Sequence, residues 1–261
     1  MPARRTEPLM TPLVAVAHGS RDPRSAATVH ALLDVVRWMR PDLDVRAAFL
    51  DLSAPRVGDV LSAVHGDGHD SAVVVPLLLG RAFHSRVDVP AAVAEAERRY
   101  PRFRVHVADV LGPDPRLDRA AWRRLADTGA RPDDPELGVV LAGAGSSHAP
   151  ANRLVADVAR RWWASTSWAG TSAAFAAAAD PDVPAAIAAL RARGARRFAV
   201  ASWFLAPGLL PDRITALARE SAADPLIAAP MADAPEVAEL VLDRYAEALT
   251  AATTPHLSHA L

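Results

Sequence analysis

The stretch Val14-Ala15-Val16-Ala17-His18-Gly19-Ser20-Arg21-Asp22-Pro23 decides how this chain is read. An apolar run ends in His-Gly-Ser, and an Asp-Pro pair then opens a helical pattern. The run predicts a buried parallel strand, the glycine a tight turn, and Asp-Pro a helix start. In an open α/β sheet, residues just past the carboxyl end of a strand line the ligand crevice. His18 therefore stands where chemistry is usually placed. The rival reading is a histidine that merely caps the turn.

Working outward, short β-like runs alternate with helical patterns. Strands are predicted at 13–17, 44–50, 71–79 and 103–107, with helices at 23–40, from Pro55, at 86–100 and at 115–127. The first helix carries Val29, Leu32, Leu33 and Val36 at helical spacing, and 71–79 is almost continuously apolar, as for a strand covered on both faces. A linker at 129–136 holds Pro132, Asp133, Asp134 and Pro135. The pattern then restarts, with strands at 139–142, 168–173, 198–201 and weakly at 226–228. Helices at 150–163, 181–193, 211–221 and 235–249 separate and follow them. Strands separated by helices imply parallel sheets with right-handed crossovers. The expected fold is α/β: two similar lobes, 1–128 and 137–261, each a four-stranded parallel sheet flanked by helices, facing each other across a cleft.

Composition narrows the function classes. The 261 residues carry a net charge of −1, so no global field favours nucleic acid or an anionic membrane. There is no cysteine, which excludes disulfides, thiolate zinc sites and cysteine nucleophiles. No apolar run reaches the roughly 20 residues of a membrane span. The start holds Arg4 and Arg5 without an apolar core, unlike a secretory signal, and a cytoplasmic protein is expected. The tail 250–261, with His256 and His259, is expected to fray.

The two halves are copies. At an offset of 126, Gly19 falls on Gly145, Ser20 on Ser146, Phe49 on Phe175, Pro55 on Pro181 and Leu79 on Leu205. Near the end the offset drops to 120, with Pro115 on Pro235. The differences are more telling. His18, Asp51 and His84 follow one another at steps of 33 residues, each at or just past a strand end. Their counterparts are Ala144, Ala177 and Leu210. Arg21, Arg24, Arg81 and Arg86 become Ser147, Pro150, Pro207 and Asp212. Groups needed by the fold would persist in both copies, so these losses mark the first lobe as the one that does chemistry. Asp51 has the competing role of a turn residue.

Two imidazoles and a carboxylate suit a divalent first-row metal, and imidazoles also accept protons near neutral pH. The surrounding arginines point to a substrate bearing carboxylates or phosphates. Together they suggest metal insertion into an acidic macrocycle. The chain resembles the sirohydrochlorin chelatases, type II chelatases acting as cobalto- or ferrochelatases, in their long, internally duplicated form. The likeness is carried by His18-Gly19-Ser20-Arg21, by Phe49-Leu50-Asp51 with Pro55, and by Val74 to Leu79 through Phe83-His84-Ser85-Arg86-Val87-Asp88-Val89-Pro90, and is clear over about 13–128.

The resemblance implies that His18 and His84 bind metal and assist removal of the pyrrole protons. Many members have Glu where this chain has Asp51, whose shorter side chain puts its direct contact in question. Ser20, Arg21, Arg81 and Arg86 are candidates for substrate binding, with Arg86 and Asp88 able instead to pair with each other. The metal, Fe²⁺ or Co²⁺ with Ni²⁺ as an in vitro substitute, is a substrate, and no organic cofactor is implied. The expected partner is sirohydrochlorin in siroheme or cobalamin biosynthesis, with no nucleic acid or membrane, and a monomer because one chain supplies both lobes.

Three rivals stand beside this reading. A tetrapyrrole or metal carrier would bind the same ligands without turnover. A histidine phosphatase wants Arg directly before its first-strand His, where Ala17 stands here. A dinucleotide-binding domain is weakest, since the first turn lacks G-x-G-x-x-G. His30, His65, His69, His106 and His148 read as structural.

Overall fold

In a computed structural model of the chain, β1 is Leu13–Ala17, and every one of its residues is buried. The structure describes residues 10–80, 88–231 and 233–253. After β1 come α1 (Pro23–Met39), β2 (Val45–Phe49), α2 (Val57–Gly66), β3 (Ser71–Pro76), α3 (Asp88–Arg99), β4 (Arg104–Val107) and α4 (Pro115–Ala126). The repeat follows with β5 (Leu137–Gly143), α5 (Ala149–Ala164), β6 (Gly170–Phe175), α6 (Val183–Ala192), β7 (Arg197–Ser202), α7 (Leu209–Ser221), β8 (Leu226–Ile227) and α8 (Pro235–Thr253).

Two four-stranded sheets form, ordered β2-β1-β3-β4 and β6-β5-β7-β8, and all pairings are parallel. Within each, the chain reverses direction across the sheet beside its first strand, the place where open α/β sheets leave a crevice. The registers record the repeat. Val74 pairs with Val107, and Val200 with Ile227, so the offset of 126 in the third strand has become 120 in the fourth. Six residues are lost between these strands, where the sequence places the loss.

Alternation along each strand explains why both faces are apolar. Val14, Val16, Ala48 and Val74 pack with Leu61 and Val64 of α2 and Val89 and Val93 of α3. The opposite face, with Leu13, Ala15 and Val73, is equally shut off from solvent. On that face α1 sets His30 edge-on to Phe49, 6.3 Å between ring centres. In the second sheet Val140, Ala142 and Val200 pack with Ile187 and Leu190 of α6 and Ile214 and Ala218 of α7.

The outer helices do not follow the sequence halves. α4 packs with the second sheet: Trp122 stacks on Trp168 at 5.3 Å and meets Trp162 of α5 edge-on at 5.2 Å. Asp118 of α4 accepts from Arg161 of α5 at 2.5 Å. α8 joins the first sheet, where the Tyr245 hydroxyl donates to the carbonyl of Thr11 at 2.6 Å. Arg244 Nε donates to the carbonyl of Val110 at 2.9 Å. By packing, the described residues of 10–21, 29–111 and 238–253 form one unit, and those of 22–28 and 112–237 the other. Each half of the repeat gives its last helix to the other sheet.

Some elements differ at their ends from expectation. Pro55 does not open α2; it lies in a cis peptide before the helix, which starts at Val57. Its repeat partner Pro181 is likewise cis, before α6. Among the described residues no helix is long and apolar enough to cross a membrane.

Candidate active site

His18 leaves the carboxyl end of β1, and Gly19 follows at φ +93°. A side chain is excluded there twice over: the left-handed backbone disfavours it, and a Cβ would stand 1.7 Å from the carbonyl oxygen of Asp51. The close approach joins the two loops. The Leu50 N–H donates to the carbonyl of Ala17 at 3.0 Å and the Asp51 N–H to the carbonyl of His18 at 2.9 Å, continuing the ladder past the strands. His18 and Asp51, 33 residues apart, thus stand side by side on neighbouring strand ends.

Both are exposed, the Asp51 side chain by 59%. The Asp51 carboxylate accepts from the Leu52 N–H at 2.8 Å and from Arg56 Nη1 at 2.8 Å. The Leu52 N–H foremost, then Arg56, hold its carboxyl below the usual carboxylate range, and the neighbouring His18 acts in the same direction. Ser20 and Ser53 are tied in both directions: the Ser20 N–H donates to Ser53 Oγ at 3.0 Å, and the Ser53 hydroxyl to the carbonyl of Ser20 at 2.8 Å. Arg21 is exposed beside them. Arg24 is committed to Asp22, donating to both carboxylate oxygens, and this holds the Asp22 carboxyl low.

Arg81, His84 and Arg86 lie outside the described residues, as do His256 and His259. Among the described residues no three His, Cys, Asp or Glu side chains group as a metal site. The His65 ring lies 4.3 Å from that of Tyr100 and 5.6 Å from Phe103. His69 Nε2 is 3.8 Å from Asp44, and His148 precedes α5.

Sequence reading missed Ser53 and Arg56. The repeat offset carried the signal, since their counterparts are Ala179 and Asp182. In the second half Gly145 repeats the approach, its would-be Cβ 1.8 Å from the carbonyl oxygen of Ala177. The Ala177 N–H repeats the bond to the carbonyl of Ala144 at 3.0 Å. The scaffold is the same, with alanines where the first half has His18 and Asp51. Leu210, where the first half has His84, is 37% exposed, and its neighbour Leu209 is 80% exposed; neither belongs to the core.

A family model described as CbiX matches residues 12–128 and again 138–248. The chain belongs to the CbiX family. The two matches are the two halves of the repeat, so the family unit is one half, present twice. Among relatives of the CbiX chain, the sirohydrochlorin cobaltochelatase of Priestia megaterium is 25% identical over 217 residues, covering 81% of this chain and 69% of that one. The sirohydrochlorin ferrochelatase of the same organism is 26% identical over 208 residues, covering 78% and 77%. The solved structure of SirB from Bacillus subtilis with Fe³⁺ has a TM-score of 0.75 at 22% identity, covering 93% of this chain and 97% of that one. At that identity the structural likeness speaks for the fold alone.

Proposed function

We propose that this CbiX-family chain is a sirohydrochlorin chelatase, a lyase that places Fe²⁺ or Co²⁺ in sirohydrochlorin. The observation that carries the reading is the hydrogen-bonded juxtaposition of His18 and Asp51 on strand ends of the first half, on a scaffold whose second copy keeps the turn and loses both groups. The names of the Priestia megaterium relatives, one a cobaltochelatase and one a ferrochelatase, support the same substrate and both ions.

The chemistry asks for two things. The ion must be held with exchangeable ligands, and two pyrrole protons must leave as it enters the ring. Neutral His18 and His84 supply imidazoles that bind first-row divalent ions, with Asp51 as an anionic neighbour. As ring nitrogens take over the ion, each released imidazole accepts one pyrrole proton, which balances the step near neutral pH. Arg21, Arg81 and Arg86 meet the peripheral carboxylates, and Ser20 borders them. The second half, without these ionisable groups, plays no chemical part, and Leu209 and Leu210 at the start of α7 give it exposed apolar surface. The ion is a substrate, no organic cofactor takes part, and the enzyme works as a cytoplasmic monomer.

Absorbance of the ring on addition of Fe²⁺, Co²⁺ or Ni²⁺ to purified protein tests this directly. The expected outcome is insertion of Fe²⁺ or Co²⁺ well above the uncatalysed rate. Binding of the ring without insertion of any of the three would make the chain a carrier instead.

A further inference from the structure

The loops before α2 and α6 share one backbone. Leu52 and Ala178 take left-handed φ of +58° and +57°. The Phe49 and Phe175 N–H groups each donate at 2.9 Å, to the carbonyls of Pro55 and Pro181. With the backbone held constant, the side chains that differ show what the first half adds. Two of them make hydrogen bonds toward His18 and Asp51.

The first is Ser53, which grips the Ser20 peptide through both its N–H and its carbonyl. Its counterpart, Ala179, cannot. The second half pins the matching peptide by other means: the Ser146 N–H donates to Asn152 Oδ1 at 2.9 Å, and Asn152 Nδ2 to the carbonyl of Ser146 at 2.7 Å. Asn152 stands where the first half has Ala26. Both halves therefore need this peptide held. In the second half the tie closes within the β5–α5 segment. In the first half it runs across, from the loop carrying Asp51 to the loop carrying His18.

The second is Arg56, at the N-cap of α2, where it makes no capping bond. Its counterpart Asp182 caps α6 in the ordinary way, accepting from the Ala185 N–H at 2.9 Å. Asp is among the favoured N-cap residues. The first half gives up that cap and places a guanidinium there, which donates from Nη1 to the Leu50 carbonyl and to Asp51 Oδ1, both at 2.8 Å. Helix stability alone would favour the arrangement seen at Asp182.

We propose that Ser53 and Arg56 are positioning residues, which lock the His18 loop to the Asp51 loop and set the direction of the Asp51 carboxylate so that both side chains meet one ion. The assignment rests on the chelatase reading above. Neither residue touches the reacting atoms. Each acts through a group that does, as outer partners of metal ligands commonly do.

Wild type is compared with Arg56→Asn, Arg56→Lys, Ser53→Ala and Ser53→Thr. The readouts are kcat and KM for Co²⁺ insertion, the thermal midpoint, and amide exchange at Ser20 by NMR. Arg56→Asn supplies a capping side chain, so its midpoint should hold or rise while kcat falls roughly 10- to 100-fold. Arg56→Lys should recover part of that loss. Ser53→Ala should speed exchange at Ser20 by about tenfold, the worth of one hydrogen bond, and lower kcat. Ser53→Thr keeps the hydroxyl and should restore both. Arg56→Asn with kcat within about twofold of wild type, or Ser53→Ala with unchanged exchange at Ser20, overturns the positioning role while the chelatase reading stands. A wild type that inserts neither Co²⁺ nor Fe²⁺ overturns both.

Discussion

At the residue scale, one peptide approach governs the site. Gly19 and Gly145 sit at the same turn, each at a positive φ and each within reach of a carbonyl of the neighbouring loop. Gly19→Ala and Gly145→Ala should each cost roughly 2–4 kcal/mol by denaturant unfolding, because the added methyl forces the strand-end loops apart. Only Gly19→Ala displaces proposed ion-binding groups, so at a temperature where both variants are folded it alone should lose most insertion. Equal retention of activity in the two variants would contradict the assignment of chemistry to the first half. His18→Ala removes an exposed side chain. It should leave the thermal midpoint within a degree or two and abolish most insertion, as should His84→Ala for insertion. His18 was legible because a strand end followed by glycine is a recognisable local pattern. The repeat offset marks Ser53 and Arg56 as positions that differ between the halves, but what they do lies in hydrogen bonds to other residues.

At the element scale, helix starts show where local chemistry gives way to context. Asp114 and Asp182 cap α4 and α6 through their side chains. Asp182→Ala should cost about 1 kcal/mol of stability and leave insertion unchanged, measured by urea unfolding and the absorbance assay. A drop in kcat at full folding would mean that the second half takes part in the chemistry. The apolar spacing of Val29, Leu32, Leu33 and Val36 located α1, and these four are its buried residues. Proline suits a first turn, yet Pro55 lies before α2. Its own carbonyl is bonded by the Phe49 N–H, so a loop contact that no helix rule contains determines its place.

At the scale of the whole molecule, the exchange of last helices makes the halves interdependent. The first sheet is completed by α8, which brings the buried Leu240, Val241 and Tyr245. The fragment 1–128 lacks these side chains and carries instead α4, whose apolar face belongs to the other sheet. It should show no cooperative thermal transition, whereas the full chain should. A cooperative transition in the fragment would show that α8 is dispensable to the first sheet. The same packing predicts an alkaline limit. Burial pushes the Tyr245 hydroxyl above its ordinary value near 10. The folded state then holds this proton more tightly than the unfolded one. Its contribution is fully present below about pH 10 and is lost as pH rises through the raised folded value. Tyr245→Phe should remove that alkaline fall in stability, while losing the bond to Thr11 at all lower pH.

The sequence by itself determined the parallel α/β class, the alternation of strands and helices along the chain, the duplication, and the positions where one copy has His or Asp and the other Ala or Leu. These follow from periodicity and from comparison of one copy with the other, and both are properties of the chain read in line. Tertiary structure decided which sheet each terminal helix covers, since the apolar stripe of α4 or α8 read in line names no partner. It also decided how the site is held. That Ser53 grips Ser20, and that Arg56 leaves its helix uncapped to grip Asp51, depends on two loops brought together by a glycine that permits their backbones to touch.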